Sequence, residues 1–276
     1  MAGTLTLVGT PIGNLSDFSP RAVQALSECD FIAAEDTRVT MKLLLHFGIK
    51  KPLFSYHEHN KRASGQALCD RMEAGENGVL VSDAGMPAIS DPGEDLVAMC
   101  HERGIPVTAV PGPTAMATAL ALSGLAVGRF TFEGFLSTSN RSRREHLESI
   151  KNEPRTMVFY DAPHKLIYTL QDLLDTLGDR RLALARELTK LHEEVRRTTL
   201  SQAVAWYTEN PPRGEFVLVV EGAPKVVEEA ASAEDAVALA RRYMAEGASA
   251  SEAAKRAAAE SGRRKGEIYK QLTAEE

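Results

Sequence analysis

Short apolar runs alternate with helical periods along most of the chain, and the junctions between them are dense in Gly and Pro. Residues 4–8 (TLTLV), 30–34 (DFIAA), 52–56 (PLFSY), 79–81 (VLV) and 105–110 (IPVTAV) have the length and β-branched content of buried strands. Between them, residues 20–29 (PRAVQALSEC), 39–48 (VTMKLLLHFG), 62–75 (RASGQALCDRMEAG), 94–104 (EDLVAMCHERG) and 116–124 (MATALALSG) read as helices. Asp17 or Ser19 can cap the first, with Pro20 at its first position, and Gly48 and Gly124 close two others. Strand–helix alternation of this kind predicts a parallel sheet.

The stretch 79–93, VLVSDAGMPAISDPG, organises this pattern. Its apolar run stops at Ser82, and Gly85, Pro87, Pro92 and Gly93 follow within nine residues, with Asp91 among them. Neither helix nor strand tolerates that density of breakers, so the segment is a shaped loop at a strand end. Loops after residues 4–8 (Gly9-Thr10-Pro11-Ile12-Gly13-Asn14) and 105–110 (Pro111-Gly112-Pro113-Thr114-Ala115) repeat the design. Parallel strands bring such loops to one edge, where they build one pocket. None matches a P-loop or a dinucleotide fingerprint, so a ligand held by shaped backbone is favoured over a nucleoside triphosphate.

Charged residues punctuate other strand ends. Glu35-Asp36-Thr37-Arg38 follows the second strand, and His57-Glu58-His59-Asn60 the third. An internal Arg38–Asp36 pair is the plain structural reading of the first cluster. The two histidines lack a nearby third ligand, so no metal site is assigned.

From about residue 127 the texture changes. Residues 129–135 (RFTFEGF) alternate like a strand, and 136–146 (LSTSNRSRREH) form a polar, basic arm entering a helix. Strands follow at 156–160, 182–185 and 214–221, with a helix at 164–178 whose apolar positions carry core spacing. Residues 186–194 read as a loop and charged segment. The division expected is an N-terminal α/β domain over 1–116, a second over 117–222, and a linker with a helical tail over 223–276. In the tail, 233–247, 250–262 and 263–272 have helical periods, and the last two meet at Ser261-Gly262 in a helix-turn-helix arrangement.

Length and composition agree with this division. A chain of 276 residues suits two domains, and 43% apolar content is ordinary for a soluble protein. No run of 18 apolar residues occurs, and the start MAGTLTLVGT has no basic leader region, so neither a membrane span nor a signal peptide is expected. Cys29, Cys69 and Cys100 are scattered, which suits a reducing cytoplasm. The formal charge of −6 repels nucleic acid, so any such partner needs a local basic face. Arg141, Arg143 and Arg144 supply one; Arg263, Arg264 and Lys265 supply another, within a tail segment, 251–272, of six basic and three acidic residues.

Taken in order, LVGTPIGNL, AEDTR, SYHEHN, SDAGMPAISDPG, VPGPTA, FYDAPH, RELTKLHEE and RGEFVLVVEG resemble the small-subunit ribosomal RNA 2′-O-methyltransferase I family, part of the tetrapyrrole methylase superfamily. The resemblance runs over about residues 5–222, with a weaker echo in the tail. One departure is Ser137-Thr138-Ser139-Asn140, where the family often has Pro and Lys. The resemblance implies two α/β domains with a cleft between them for S-adenosylmethionine (SAM), and a small C-terminal helical domain. It implies a cytidine 2′-hydroxyl in the decoding region of 16S ribosomal RNA as acceptor, in the small ribosomal subunit, and a homodimer. The matching SAM-binding positions are Pro11, Asp83, Ala84, Gly85, Ile89, Thr114, Ala115, Phe159, Tyr160, Asp161, Leu188, Gly214, Glu215 and Phe216.

Methyl transfer from a sulfonium needs no metal; it needs alignment and removal of the hydroxyl proton. Charged residues expected at the cleft are Asp36, Arg38, Glu58, Glu187, Lys190 and Glu215. Glu187 and Lys190 rank first as proton acceptor and Asp36 third, with cleft-bracing ion pairs as the alternative for each. Arg38, His57, Glu58 and the two basic clusters are the expected RNA contacts. A tetrapyrrole methylase shares the same SAM pocket, and a non-catalytic RNA-binding protein is the reading from another class; the basic segments favour RNA over tetrapyrrole.

Overall fold

The first sheet is built from five short strands: β1 (Leu5–Val8), β2 (Phe31–Ala34), β3 (Leu53–Ser55), β4 (Gly78–Val81) and β5 (Val107–Val110). In the computed structural model, which describes residues 1–224 and 233–274, these lie in the order β3-β2-β4-β1-β5, and all pairs are parallel. The helices α1 (Pro20–Glu28), α2 (Thr37–His46), α3 (Lys61–Glu73) and α4 (Glu94–Glu102) cover it. Every residue of β2 and β4 is buried, which explains their unbroken apolar sequence: both faces are covered. Ile32, Val79 and Val81 join Leu26 and Leu44 in one core, while Phe31 and Leu80 join Leu68 and Leu96 in the other.

Local capping sets where the helices start. Ser19 Oγ accepts from the Ala22 N–H at 3.2 Å, with Pro20 at the first helical position, so Ser19 rather than Asp17 caps α1. Asp36 caps α2, its Oδ1 accepting from the Arg38 N–H at 2.8 Å.

Helix α5 (Ala115–Ser123) begins just before the expected boundary at 116/117, and it packs on the second sheet through Ala119 and Leu120. That sheet contains β6 (Phe130–Phe135), β7 (Thr156–Asp161), β8 (Arg181–Arg186), β9 (Glu194–Thr199) and β10 (Phe216–Val220), in the order β6-β7-β10-β8-β9. Only β6 and β7 are parallel; the remaining pairs are antiparallel. Strand β9 begins at Glu194, the last residue of the charged segment, in a stretch where the sequence predicts no strand. It is an edge strand, and its EVRRTT sequence has none of the apolar alternation that marks a half-buried strand. Helices α6 (Asn140–Ser149), α7 (Leu166–Leu177) and α8 (Leu200–Glu209) complete this half, with Leu166, Leu170 and Leu173 of α7 meeting Met157, Phe159 and Leu218 of the sheet.

The chain from Met1 to Ala223 is one compact unit, and a second begins at Pro224. Residues 225–232 of the expected linker, and 275–276, lie outside the described residues. The second unit holds α9 (Ala233–Ala245), α10 (Ala250–Ser261) and α11 (Lys265–Thr273). Ala236, Ala240, Ala253, Ala254 and Ala257 form most of its core, closed by Ile268 and Leu272. Small side chains there permit close helix approach. Gly262, in the left-handed conformation at φ 69°, makes the turn between α10 and α11.

Candidate active site

Three loops of the first sheet interlock at its carboxyl edge. Thr10 and Gly85 exchange backbone hydrogen bonds, with N···O distances of 2.9 and 3.1 Å, bridging the loops after β1 and β4. Gly9 meets Gly112 so closely that a Cβ on Gly9 would lie 2.7 Å from the Gly112 Cα, so neither position admits a side chain without displacement. Gly85 itself has φ +92°, a conformation unfavourable for other residues. These loops shape the wall of a cleft of about 320 Å³.

The opposite wall comes from the second sheet. Tyr160 and Asp161 end β7, Leu188 and Lys190 follow β8, and Glu215 and Phe216 enter β10. Tyr160 ties the walls together, since its hydroxyl accepts from the Met116 N–H at 3.0 Å. Of the expected SAM contacts, Asp83, Ala84, Gly85, Ile89, Thr114, Ala115, Tyr160, Asp161, Leu188, Glu215 and Phe216 line the cleft.

The other expected contacts fall elsewhere. Phe159 is fully buried in the core on the opposite face of β7, because successive strand residues point to opposite sides. Pro11 is replaced in the lining by its neighbour Ile12. Gly214 acts one step back: at φ +81°, a Cβ there would lie 2.4 Å from Glu187 Cγ. Lining residues that sequence reasoning did not select include Glu35, Met86, Ser90, Asp91 and Phe135. The signal for Ser90 and Asp91 was present, since both lie within the organising loop.

The charged candidates resolve into ion pairs. Lys190 Nζ lies 2.8 Å from Glu187 Oε1 and 2.9 Å from Glu215 Oε2. Burial alone would lower the Lys190 pKa, but the two carboxylates outweigh it and raise it. Glu187 is lowered by Lys190 and by the Glu215 N–H it accepts from. Glu187 and Thr189 hold left-handed backbone, at φ +51° and +67°, an arrangement costing on the order of 1–3 kcal/mol per residue. Asp36 forms a two-pronged pair with Arg38, which holds its carboxyl down at about 2. All three expected proton acceptors are therefore committed to ion pairs, as the bracing alternative anticipates. Arg38, His57 and Glu58 do not line the cleft. Glu58 pairs with Lys61 at 2.8 Å, and the His57 N–H donates to Asn60 Oδ1 at 2.8 Å.

The basic arm is ordered as α6. Arg143 is largely buried and binds Asp172 at 2.6 Å and Thr169 at 3.1 Å. It is thus a packing residue, contrary to its expected place in a phosphate grip. Arg141 pairs with Glu145 at 2.8 Å, and Arg144 is exposed. In the tail, Arg264 and Lys265 are exposed at the start of α11, with Lys265 Nζ 3.1 Å from Ser251 Oγ; Arg263 is half-buried. Among the described residues no His, Cys, Asp or Glu cluster could hold a metal ion, and no helix is long and apolar enough to cross a membrane.

The cleft fits SAM on its own chemistry. Ile12, Ala115, Leu188, Phe216 and Val217 give it an apolar lining suited to an adenine. Asp161 is buried, and its Oδ2 has no hydrogen-bond partner within the protein, an acceptor waiting for a donor such as a hydroxyl or ammonium. Burial pushes its carboxyl pKa upward. Exposed Asp83 adds a second carboxylate at the rim.

Two α/β halves meeting in such a cleft define a class, the tetrapyrrole (corrin/porphyrin) methylases, whose family model matches residues 4–204. Among solved structures, the fold resembles uroporphyrin-III C-methyltransferase from Thermus thermophilus complexed with S-adenyl homocysteine, at TM-score 0.55 and 19% identity, covering 79% of this chain and 97% of that one. Ribosomal RNA small subunit methyltransferase I of Synechocystis is 51% identical over 97% of this chain and 96% of its own. The Bacillus subtilis protein of the same name is 45% identical, over 97% and 93%. The chain therefore belongs to the tetrapyrrole methylases and, within them, to the ribosomal RNA small subunit methyltransferase I family.

Proposed function

We infer that the protein methylates the 2′-hydroxyl of a cytidine in the decoding region of 16S ribosomal RNA, using SAM and acting on the small ribosomal subunit. The observation that carries this reading is the cleft: loops from both sheets converge on an apolar floor and an unpartnered buried carboxylate oxygen, in a chain about half identical to ribosomal RNA methyltransferases. When bound, SAM supplies an electrophilic methyl and a neutral leaving group, so no metal is required.

The chain's own residues do the positioning. Asp161 Oδ2 and Asp83 hold the polar groups of the donor, and the backbone at Gly85 and Thr114 sets its depth. Lys190 is held protonated between Glu187 and Glu215, so it braces the wall and is not suited to accepting a proton. Arg38 and Arg144, with Arg264 and Lys265 on the helical unit, attract the RNA backbone locally in a chain of net charge −6. The chain works as two α/β domains over 1–116 and 117–222 and a helical module beyond, as a homodimer in the cytoplasm. Exposed Leu122, Val127 and Phe130 give a partner copy an apolar surface to cover.

The test is methyl transfer from labelled SAM onto small subunits, naked 16S RNA and a tetrapyrrole in parallel. Transfer to ribosomal RNA alone supports the reading; transfer to the tetrapyrrole alone replaces it.

A further inference from the structure

The edge strand of the second sheet is irregular where it meets the cleft. Strand β6 pairs with β7 in register up to Phe132, opposite Val158, and resumes at Gly134, opposite Phe159, so Glu133 is the extra residue of a β-bulge. Phe132 and Phe135 are three positions apart, and in a regular strand an odd separation puts side chains on opposite faces. The bulge cancels that alternation. Both rings pack on Tyr160, with centroids 5.1 and 5.5 Å away, while the next residue, Leu136, joins Phe159 in the core on the other face. Gly134 permits the step: it holds φ +63°, and a Cβ there would stand 3.4 Å from Ser90 Oγ on the loop after β4. Without the extra residue, Phe135 would share the face of Phe159.

The bulge thus turns a large apolar ring out of the core and onto the cleft wall. Among the described residues, three aromatic side chains line the cleft: Phe135, Tyr160 and Phe216. Phe216 is buried, and Tyr160 is half-buried with its hydroxyl held by the Met116 N–H. Phe135 is 59% exposed, so most of its surface is open to another flat group. Its place in the sheet also separates it from the donor. In the order β6-β7-β10-β8-β9, Phe216 and Val217 of the apolar floor lie on β10 and Leu188 follows β8. They are two and three strands from β6, about 10 and 14 Å at the usual strand spacing. Asp161, which fits a polar group of the donor, ends β7 between them. Phe135 therefore stands at the outer end of the cleft, where an acceptor enters.

We propose that Phe135 is the platform on which the target nucleotide stacks its base while its ribose is presented to the donor. A 2′-hydroxyl in a stacked strand is flanked by neighbouring nucleotides, and a cleft walled by two sheets admits it only when the nucleotide turns out of the stack. A base so exposed needs a new partner for its π-face, and an aromatic ring on the cleft wall supplies one. The group recognised is a flat nucleobase, held by its face and not by its edge. Phe135 therefore positions the ribose without reading which base it carries. Tyr160 acts through Phe135: pinned by the Met116 N–H, it seats the ring in advance, so little ordering is left to do when RNA arrives.

The proposal rests on the ribosomal RNA methyltransferase reading, and the experiment separates the two. Methyl transfer to small subunits is measured as kcat/KM for the subunit, beside SAM affinity by calorimetry, in Phe135→Ala, Phe135→Leu and Phe135→Trp. Loss of stacking predicts a kcat/KM lower by roughly 10- to 100-fold in Phe135→Ala, with SAM affinity unchanged. Phe135→Leu keeps apolar area but no π-face and should fall nearly as far, whereas Phe135→Trp should keep wild-type kcat/KM. The tryptophan variant also reports directly, because its added indole fluorescence should be quenched when small subunits bind. The wild type, whose single tryptophan is Trp206, supplies the reference signal, and this reading does not depend on whether Phe135→Ala folds. Wild-type kcat/KM in folded Phe135→Ala or Phe135→Leu, a SAM affinity that falls in step with transfer, or unquenched fluorescence in Phe135→Trp overturns the proposal. Absence of transfer to RNA by the wild type overturns the underlying reading instead.

Discussion

Lys190 illustrates how a single residue's role depends on its neighbours. A lysine near a methyl donor can serve as a base only if its pKa falls, and here Glu187 and Glu215 drive it the other way. Gly214 is what allows that arrangement, because Glu187 occupies the space a Cβ would need. Gly214→Ala should displace Glu187, loosen the brace that holds Lys190 and Glu215, and weaken SAM binding; wild-type SAM affinity in titration calorimetry would show that the brace does not reach the donor. At Gly85 the constraint is conformational. Gly85→Val places a β-branched residue at φ +92°, and it should reduce SAM affinity at least tenfold while the circular dichroism spectrum stays native. Wild-type SAM affinity in that variant would move the pocket elsewhere. Sequence reasoning reached the right strand ends but not always the right residue. Phe159 and Tyr160 are both aromatic in a strand buried on both faces, so no polar alternation tells which one faces the cleft.

At the scale of elements, the all-parallel first sheet was legible because each strand is short, apolar and followed by a helical period. The second sheet was less so. Strand β9 is polar, and the antiparallel pairs around β10 follow from chain connections that periodicity does not record. Helix α6 shows the same limit, since three nearby arginines read alike in sequence while the fold separates them. Arg143→Ala removes a charged hydrogen-bond donor from Asp172 and Thr169, and should cost about 2 kcal/mol of stability in denaturant unfolding. Arg144→Ala, at an exposed site, should leave stability within about 0.5 kcal/mol and weaken RNA binding. Were Arg143→Ala neutral for stability and as damaging as Arg144→Ala for RNA binding, all three arginines would belong to one phosphate grip after all.

For the whole molecule, the net charge of −6 makes association with RNA a local matter. The helical unit clusters three of its cations, Arg263, Arg264 and Lys265, at the turn into α11. Replacing Arg263, Arg264 and Lys265 together with Ala should lower the slope of log K against log salt by about 2, since each phosphate left without its cation removes ~0.7–0.9 from it. An unchanged slope would assign the unit to another task. Light scattering should report about twice the 30.0 kDa chain mass if two copies associate as proposed; a single-chain mass at micromolar concentration removes that part.

The most direct measurement is the position of the methyl group. Small subunits lacking the modification are incubated with the protein and labelled SAM, the 16S RNA is digested, and the nucleosides are resolved by mass spectrometry. The label should appear in 2′-O-methylcytidine from the decoding region and nowhere else. Label on a base, on another nucleoside, or absent from the RNA would contradict the assignment of this cleft to ribose methylation.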